Sequence, residues 1–435
     1  MSLVPRPRFW WLLLLLGAAF DAGAADESTF DTSQFEKKSF EIGGYAQIKQ
    51  ERLDLNRGGA FYNLSEYAAS RRQTLDLTTG TLQLVGKLRP GIGTFDFRTN
   101  SQFQKDQAGS DRDNSIYEAA YSVRPQPGVT LEAGKRALRW GKGYAWSPIA
   151  FLERQKDPND PELAREGFIL AAGDFILNPG GNLQTVAFTP VLLPVGRDVN
   201  SDFGLSGHLN PAAKLYLLYR DTDIDIAWQG KGSRPARFGL DFSRNLATNF
   251  EIHGEWARTR KFTRTVSDSA GRVTREVSDV NSYLLGLRYL SAGNTTYIAE
   301  YYYNGAGYSR GESEQFYELV DTAVAQVAQN GASPLMQKAS LLAQGGYGRP
   351  NASRRYVYLR AQQKDALGIV YFQPAITAII NADDRSFQVT PELTYTGIGN
   401  LELKLRLFLL SGSRETDFGE KQNERKLEIY ARYYF

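Results

Sequence analysis

Hydrophobic and polar residues alternate along many short stretches of this chain of 435 residues. The clearest stretch is 401–407, in which leucines alternate with Glu402, Lys404 and Arg406. A period of two places successive side chains on opposite faces of a β-sheet, so one face is apolar and the other is charged. Tight connections rich in Pro, Gly and Asn, such as 89–92 and 396–399, separate many of these stretches. The pattern therefore predicts a protein built from β-strands.

The alternation predicts about 18 strands, with 16 as the alternative count. Two of the candidates are 201–209 and 213–228, separated by a predicted turn at 210–212. Every second connection is tight, and most of the others are longer and polar, including 141–167 and 304–353. This regular exchange of tight turns and longer loops is typical of a transmembrane antiparallel β-barrel. We therefore expect an all-β barrel that occupies residues 40–435 as one domain.

One segment, 312–343, departs from the strand pattern. Phe316, Leu319, Val320 and Ala323 fall at helical spacing, and the spacing resumes after the Ser-Pro pair at 333–334. These features predict two amphipathic helices inside the loop 304–353. With the tight turns on the periplasmic side, this loop is expected on the extracellular side, where it would plug the pore, cap it or pack outside it.

The two chain ends carry export and assembly features. Arg6 and Arg8 precede an apolar run that is followed by small residues at 22–24, which predicts a secretory signal peptide at 1–24 and a periplasmic segment at 25–39. The last strand alternates up to Tyr433 and Phe435. Such an ending resembles the signal that the barrel-assembly machinery reads in bacterial outer-membrane proteins. We therefore expect the protein in the outer membrane, in contact with its lipid.

Composition narrows the chemistry. The chain contains no Cys and only 2 His, which removes disulfide scaffolds, thiolate metal sites and Cys nucleophiles and leaves little for an imidazole metal site. The 51 basic and 48 acidic residues nearly balance, which argues against nucleic-acid binding. No Ser-His-acid set is apparent around His208 or His253. We expect no enzyme, cofactor or metal, and an outer-membrane hydrolase is the disfavoured alternative.

The polar half of each strand is expected to face a water-filled lumen. Its mixed charges would either bind polar solutes or form ion-pair ladders between neighbouring strands, and the ladders are favoured for most of them. The predicted lumen-facing residues are Arg98, Glu118, Arg220, Glu251, Glu255, Arg288, Glu300, Glu392, Lys404, Arg406 and Arg432.

The segment 139–167 combines cations, aromatic rings and prolines in one long loop. Aromatic faces beside Arg and Lys suit a sugar or an anionic organic solute. Two interpretations stay open: a constriction loop folded into the barrel, or a surface loop held stiff by proline. The first predicts a locally positive pore with these constriction residues: Arg136, Arg139, Trp140, Lys142, Tyr144, Trp146, Arg154 and Lys156.

The signal peptide, the alternating strands, the tight turns and Phe435 together resemble Gram-negative outer-membrane porins over the whole mature chain. Size, strand count and the long loop look most like the alginate-export type, although that family has a strongly cationic lumen and the wall predicted here is mixed. The resemblance implies a channel for diffusion or export of polar, anionic or saccharide solutes. The alternative is a sheath for a periplasmic or electron-carrying partner protein, which should lack a narrow constriction. Solute identity, direction of transport and oligomeric state stay open.

Overall fold

The computed structural model describes residues 38–66, 71–331 and 333–435. The predicted signal peptide at 1–24 and residues 25–37 of the predicted periplasmic segment lie outside the described residues. Residues Ser39–Phe435 form one compact unit. The description below concerns this unit.

Eighteen antiparallel strands form one closed sheet, which confirms the predicted β-barrel. Each strand pairs with its neighbours in the chain, and the barrel closes where β1 pairs with β18, from Tyr45 opposite Tyr434 to Leu55 opposite Asn423. The strands are β1 (Phe40–Leu55), β2 (Thr74–Leu88), β3 (Gly93–Lys105), β4 (Ser110–Gln126), β5 (Val129–Arg136), β6 (Phe168–Leu177), β7 (Leu183–Val195), β8 (His208–Tyr219), β9 (Thr222–Gln229), β10 (Arg237–Ala247), β11 (Phe250–Ser267), β12 (Val273–Leu290), β13 (Thr295–Tyr303), β14 (Arg355–Gln363), β15 (Phe372–Asn381), β16 (Phe387–Ile398), β17 (Leu401–Ser411) and β18 (Asn423–Tyr434).

Strands β8 and β9 differ from the prediction. The candidate 201–209 is mostly loop, and the candidate 213–228 is divided between the two strands by a turn at Arg220 and Asp221, both of which have positive φ. The count of 18 strands is nevertheless correct. One predicted strand is absent, but another is divided into two, so the total does not change. Arg220 is exposed in this turn, so the prediction that it faces the lumen is wrong.

The predicted turn at 210–212 is also wrong, because these residues lie inside β8. The Asn-Pro pair that suggested a turn has a tertiary role instead. The buried Asn210 side chain accepts a hydrogen bond from the Ser233 backbone N–H at 2.8 Å and donates one to the Leu193 carbonyl at 3.1 Å. These long-range bonds hold the loop after β9 and outweigh the local turn preference.

The wall has a polar interior and an apolar exterior, as β17 illustrates. Glu402 and Arg406 are buried on its inner side, whereas Leu403, Leu405 and Leu409 are exposed on its outer side. Other strands also expose large apolar side chains, such as Ile48 of β1 and Ile429 of β18. An apolar outer band with a polar interior is the pattern of a transmembrane β-barrel.

The α-helices of the described barrel lie in loops at one end, which we call the long-loop end; the opposite end is the tight-turn end. They are α1 (Ala60–Glu66), α2 (Arg310–Asn330) and α3 (Pro334–Leu342), with a π-helical turn at Ala343–Tyr347. Ser309 and Glu312 form a capping box at the start of α2, and Gly331 ends it in the left-handed conformation. The two predicted helices are confirmed, and α1 was not predicted. None of the described helices has the length and apolar composition to span a membrane.

The helical insert, residues 304–354, packs against the neighbouring loops of the long-loop end. The Phe316 ring stacks on Tyr347 at 4.2 Å and lies 6.1 Å from the Phe61 ring of α1. Ion pairs hold α2 on two sides, from Arg264 of β11 to Glu312 at 2.6 Å and from Arg414 of the β17–β18 loop to Asp321. The insert therefore bridges from β11 to the β17–β18 loop at this end of the barrel.

Candidate functional site: a loop folded into the barrel

Residues 137–167, which we call the lumen loop, leave β5 and fold back inside the barrel. Their apolar side chains pack on inward-facing residues of the wall: Ile149, Phe151 and Leu152 belong to one buried cluster with Leu193 and Ala257. The structure therefore agrees with the interpretation of a loop inside the barrel and not with a surface loop.

A buried carboxylate on β11, Glu255, holds the first half of the loop. It accepts hydrogen bonds from the backbone N–H groups of Lys142 at 2.7 Å, Gly143 at 2.7 Å and Ile149 at 3.2 Å, and from the Ser147 hydroxyl at 3.0 Å. These four donors meet the need of a buried charge for hydrogen-bonding partners.

Gly141 allows this close approach of the loop to Glu255. It has a φ of +92°, and a Cβ atom there would lie 2.0 Å from the Ser147 hydroxyl and 2.7 Å from a Glu255 oxygen. Only glycine adopts this conformation readily and leaves that space free.

A second wall carboxylate, Glu300 on β13, holds the next residues. One of its oxygens accepts from the Ala145 N–H at 2.9 Å, and the other accepts from the Tyr144 N–H. His253 lies beside it, with Nε2 at 3.0 Å from Glu300 and Nδ1 at 3.1 Å from Glu251. Three side chains from β11 and β13 thus form one hydrogen-bonded chain that ends on the lumen loop.

The far part of the loop reaches the opposite strands. Arg406 of β17 donates to the Asn159 carbonyl at 3.2 Å and pairs with Asp160 at 3.4 Å, while Gln388 of β16 bonds the Asn159 side chain. Arg406 also pairs with Glu428 of β18. The loop therefore crosses the barrel from β5 to β17 and divides the lumen.

Most cations predicted at the constriction are neutralised. Arg136 lies near three acids, including Glu132 at 3.2 Å. Lys142 pairs with the buried Asp225 at 3.1 Å, and Arg154 pairs with Glu166 at 3.1 Å and with Asp202. The expected excess of positive charge in the loop is therefore much smaller than a count of its cations suggests.

Lys156 and Arg139 have different environments. The Lys156 ammonium donates to the backbone carbonyls of Gly143 and Tyr144, and burial lowers its pKa below the usual value. Arg139 is exposed and has no ion pair among the residues that the structure describes. Among the predicted constriction cations, Arg139 is thus the one that is exposed and has no ion-pair partner in the described part of the chain.

The indole rings predicted to contact solute serve packing instead, and this part of the prediction is wrong. Trp140 and Trp146 are each 3% exposed. Trp146 stacks on Tyr302 at 5.2 Å and lies 5.9 Å from Tyr356. Large aromatic surfaces favour burial, which a sequence pattern cannot distinguish from solute stacking. Tyr144 is half-buried, and desolvation raises its pKa to about 12.

The described wall residues form ion-pair ladders around the lumen. The pairs are Arg98 with Glu118 at 3.6 Å, Arg288 with Glu251 at 3.4 Å, Lys404 with Glu392 at 3.9 Å and Arg432 with Glu402 at 3.6 Å. Arg360, which the sequence analysis missed, pairs with Glu392 at 3.0 Å. These contacts agree with the ladder interpretation, in which neighbouring charges satisfy one another.

Two cavities lie between the lumen loop and the wall. The larger, of about 350 Å³, is lined by Arg98, Glu118, Arg139, Glu162 and Arg165 among others. The smaller, of about 160 Å³, is lined mainly by charged residues, including Lys49, Asp157, Asp160, Arg406, Lys426 and Arg432. Lys49 and Lys426 were missed as site residues, although they share the alternation phase of the lumen-facing residues on their strands.

Glu153 of the lumen loop lies beside the larger cavity. Its carboxylate accepts from the Trp140 N–H and pairs with Arg165 at 2.9 Å. Burial dominates over these favourable contacts and raises the pKa of Glu153 to about 6. This group therefore changes charge near neutral pH.

Comparisons with solved structures identify the architecture. OccK5 (OpdH) of Pseudomonas aeruginosa matches with a TM-score of 0.53 and 13% identity, covering 91% of this chain and 97% of that one. A BenF-like porin from Pseudomonas fluorescens matches with a TM-score of 0.52 and 11% identity, covering 92% and 99%. The chain has the porin fold. OccK2 (OpdF) of Pseudomonas aeruginosa, solved in complex with glucuronate, matches with a TM-score of 0.51 and 11% identity, covering 91% and 96%.

No family model and no curated protein matches the sequence. The similar solved structures are of the OccK, OpdQ and BenF-like kinds, and they do not support the expected alginate-export type. At these identities the likeness concerns the fold alone.

Proposed function

We propose that this protein is an outer-membrane channel through which small polar solutes diffuse. The observation that carries the proposal is the lumen loop, which Glu255 and Glu300 hold across the barrel and which leaves charged cavities beside it. A barrel of this size is otherwise wide enough for an open aqueous bore. In this proposal the long-loop end faces the cell exterior, and the loop sets the size limit.

Carboxylate-bearing solutes are the proposed preference. Arg98, Arg139 and Arg165 line the larger cavity, and Arg139 lacks an ion-pair partner in the described part of the chain. The planar guanidinium group suits carboxylate binding. OccK2, a barrel of the same fold, was solved in complex with glucuronate, which is a carboxylate-bearing solute.

A channel explains the interior better than a sheath for a partner protein does. A partner-holding barrel needs an unobstructed bore, whereas the lumen loop fills the interior from β5 to β17 with buried contacts. The helical insert adds a bridge at the long-loop end. These features support passage of small solutes only.

Planar-bilayer recordings test the proposal. We expect steady conductance in KCl and a reversal potential in a salt gradient that favours anions, more clearly at low salt because screening is weaker there. Arg139→Glu should shift the reversal potential toward cations. Arg272→Glu is the matched control, because Arg272 is 86% exposed beside Asp268 in the β11–β12 loop.

Two outcomes would contradict parts of the proposal. Folded protein that inserts into the bilayer without conductance would refute the channel. An unchanged reversal potential for Arg139→Glu would remove this residue from the ion path. Lys142 is not a suitable target for charge reversal, since Lys142→Glu would place a third carboxylate beside Asp225 and Asp241.

A further inference from the structure

Three arginines near the long-loop end have no acidic partner. Arg234 precedes β10, Arg237 begins β10 and Arg349 lies near the end of the helical insert. In the described ranges none of the three forms an ion pair. Arg234 and Arg237 are half-buried, whereas Arg349 is exposed. Because a half-buried charge without a counterion is costly, Arg234 and Arg237 are candidates for a binding site, to which Arg349 adds an exposed cation.

Arg234 is fixed on an aromatic surface. Its guanidinium lies 3.9 Å from the centroid of the Phe203 ring and donates to the Phe203 carbonyl. Phe203 contacts the Phe168 ring edge to face at 5.1 Å, and the Arg154 guanidinium lies 4.7 Å above Phe168. Two guanidinium groups are therefore held on one joined pair of rings.

Arg237 is half-buried, and one of its donor atoms has no hydrogen-bonding partner in the described part of the chain. Its Nε is buried and has no partner, and its guanidinium lies 5.8 Å from the Phe151 ring of the lumen loop. Directly opposite in the sheet is Gln229, a fully buried residue whose side-chain amide nitrogen and oxygen also lack partners. Unsatisfied buried polar groups of this kind are rare in native proteins and point to an unseen water or ligand.

Arg349 belongs to the same neighbourhood. The Gln155 side chain of the lumen loop donates to the carbonyl of the adjoining Pro350 at 3.4 Å, which holds this end of the insert against the loop. Burial and the nearby charges of Arg237, Arg349 and Arg154 lower the pKa of Arg234 to about 9. The acids that pair with Arg154, namely Asp202 and Glu166, do not compensate the other three cations.

We infer that Arg234, Arg237 and Arg349 form a capture site for small carboxylate-bearing solutes on the outer side of the lumen loop. The inference rests on the proposed channel function and adds an entry site distinct from the cavity at Arg139. Guanidinium groups bind a carboxylate through paired charge-assisted hydrogen bonds, and the contact of Arg234 with the Phe203 ring orients its guanidinium before a solute arrives.

Calorimetric titration of the folded, detergent-solubilised protein with sodium succinate tests the site, with succinamide as an uncharged probe of similar size. We expect succinate to bind and succinamide not to bind. Arg234→Gln and Arg349→Gln should each weaken succinate binding about tenfold, the effect of losing one hydrogen bond to a charged group. Arg272→Gln, which removes one exposed cation from another loop, should leave the affinity unchanged.

Arg349→Gln keeps the test decisive if Arg234→Gln does not fold, because Arg349 is exposed. Equal succinate affinity in the folded Arg349→Gln variant and in the wild type would overturn the inference. Weaker succinate binding in Arg139→Gln alone would also overturn the inference, because it would assign binding to the cavity beside the constriction.

Titration with inorganic phosphate is a second experiment, and tighter binding of phosphate than of succinate would overturn the assigned solute class. Conductance in KCl would persist in all these cases, so failure of the capture site is distinguishable from failure of the channel proposal.

Discussion

Removing the Glu255 carboxylate should release the lumen loop and widen the channel. Glu255 accepts four hydrogen bonds from the loop, at 2.7 to 3.2 Å. A hydrogen bond to a charged group contributes about 1.5–3 kcal/mol, so Glu255→Ala removes an attachment of several kcal/mol and leaves three backbone N–H groups without their acceptor. The strand pairing of β11 with β10 and β12 does not depend on this side chain.

The assay is single-channel conductance together with heat-modifiable migration, which reports a folded barrel. We expect Glu255→Ala to fold, to conduct more than the wild type and to show larger current fluctuations. Glu255→Gln should have a smaller effect, because its remaining carbonyl oxygen still accepts from Lys142 and Gly143. Glu41→Ala is the control, since Glu41 is an exposed residue of β1 that pairs with Arg89.

One result would refute this reasoning. If folded Glu255→Ala has the conductance and the current noise of the wild type, the loop does not limit the passage. Its attachment through Glu300 would then suffice, or the conducting path would lie elsewhere. Combining Glu255→Ala with Glu300→Ala separates these cases, because the double variant loses both attachments.

Three further predictions concern assembly, the insert and pH. Deleting Phe435 should strongly reduce insertion into the outer membrane without preventing secretion, and equal amounts of heat-modifiable protein would contradict this. Replacing 310–350 with a Gly/Ser linker should leave a closed barrel with higher conductance, because no wall strand pairs through this segment; loss of folding would contradict it. Since the pKa of Glu153 is about 6, lowering the pH from 7 to 5 removes one negative charge and should increase anion preference. Glu153→Gln should lack this change.

Alternation of residue type was sufficient to predict the barrel, because the two faces of each strand meet different environments. It failed between 196 and 222, and at 210–212 the predicted turn is replaced by strand, where the Asn210 side chain accepts a hydrogen bond from the Ser233 N–H. The helices of the insert were predictable from helical spacing and from the Ser-Pro pair at 333–334. The helix α1 has only seven residues, too few for a periodic pattern to be distinguished from chance.

The sequence was sufficient to predict which segment forms the candidate site, but not which of its residues bind solute and which pack inside the protein. Cations and rings marked the lumen loop, yet the same residue types serve solute binding and internal packing. Lys142 forms an ion pair with Asp225 on β9, which is more than 80 residues away along the chain. Trp146 stacks on Tyr302 of β13. A local sequence pattern does not predict these contacts, because they depend on the path of the loop through the barrel.

The charge that a solute meets in the pore therefore depends on which charged side chains are already paired, and not on the number of acidic and basic residues. Glu255 and Glu300 face the lumen, but their carboxylates are used by backbone N–H groups of the lumen loop and are shielded from a passing solute. Most wall charges are likewise satisfied within ladders. Among the described arginines near the lumen loop, Arg139, Arg234, Arg237 and Arg349 have no ion-pair partner, and these are the cations that we propose act on a solute. A nearly neutral chain can thus line a passage that favours anions, since selectivity follows the local field at its narrow points.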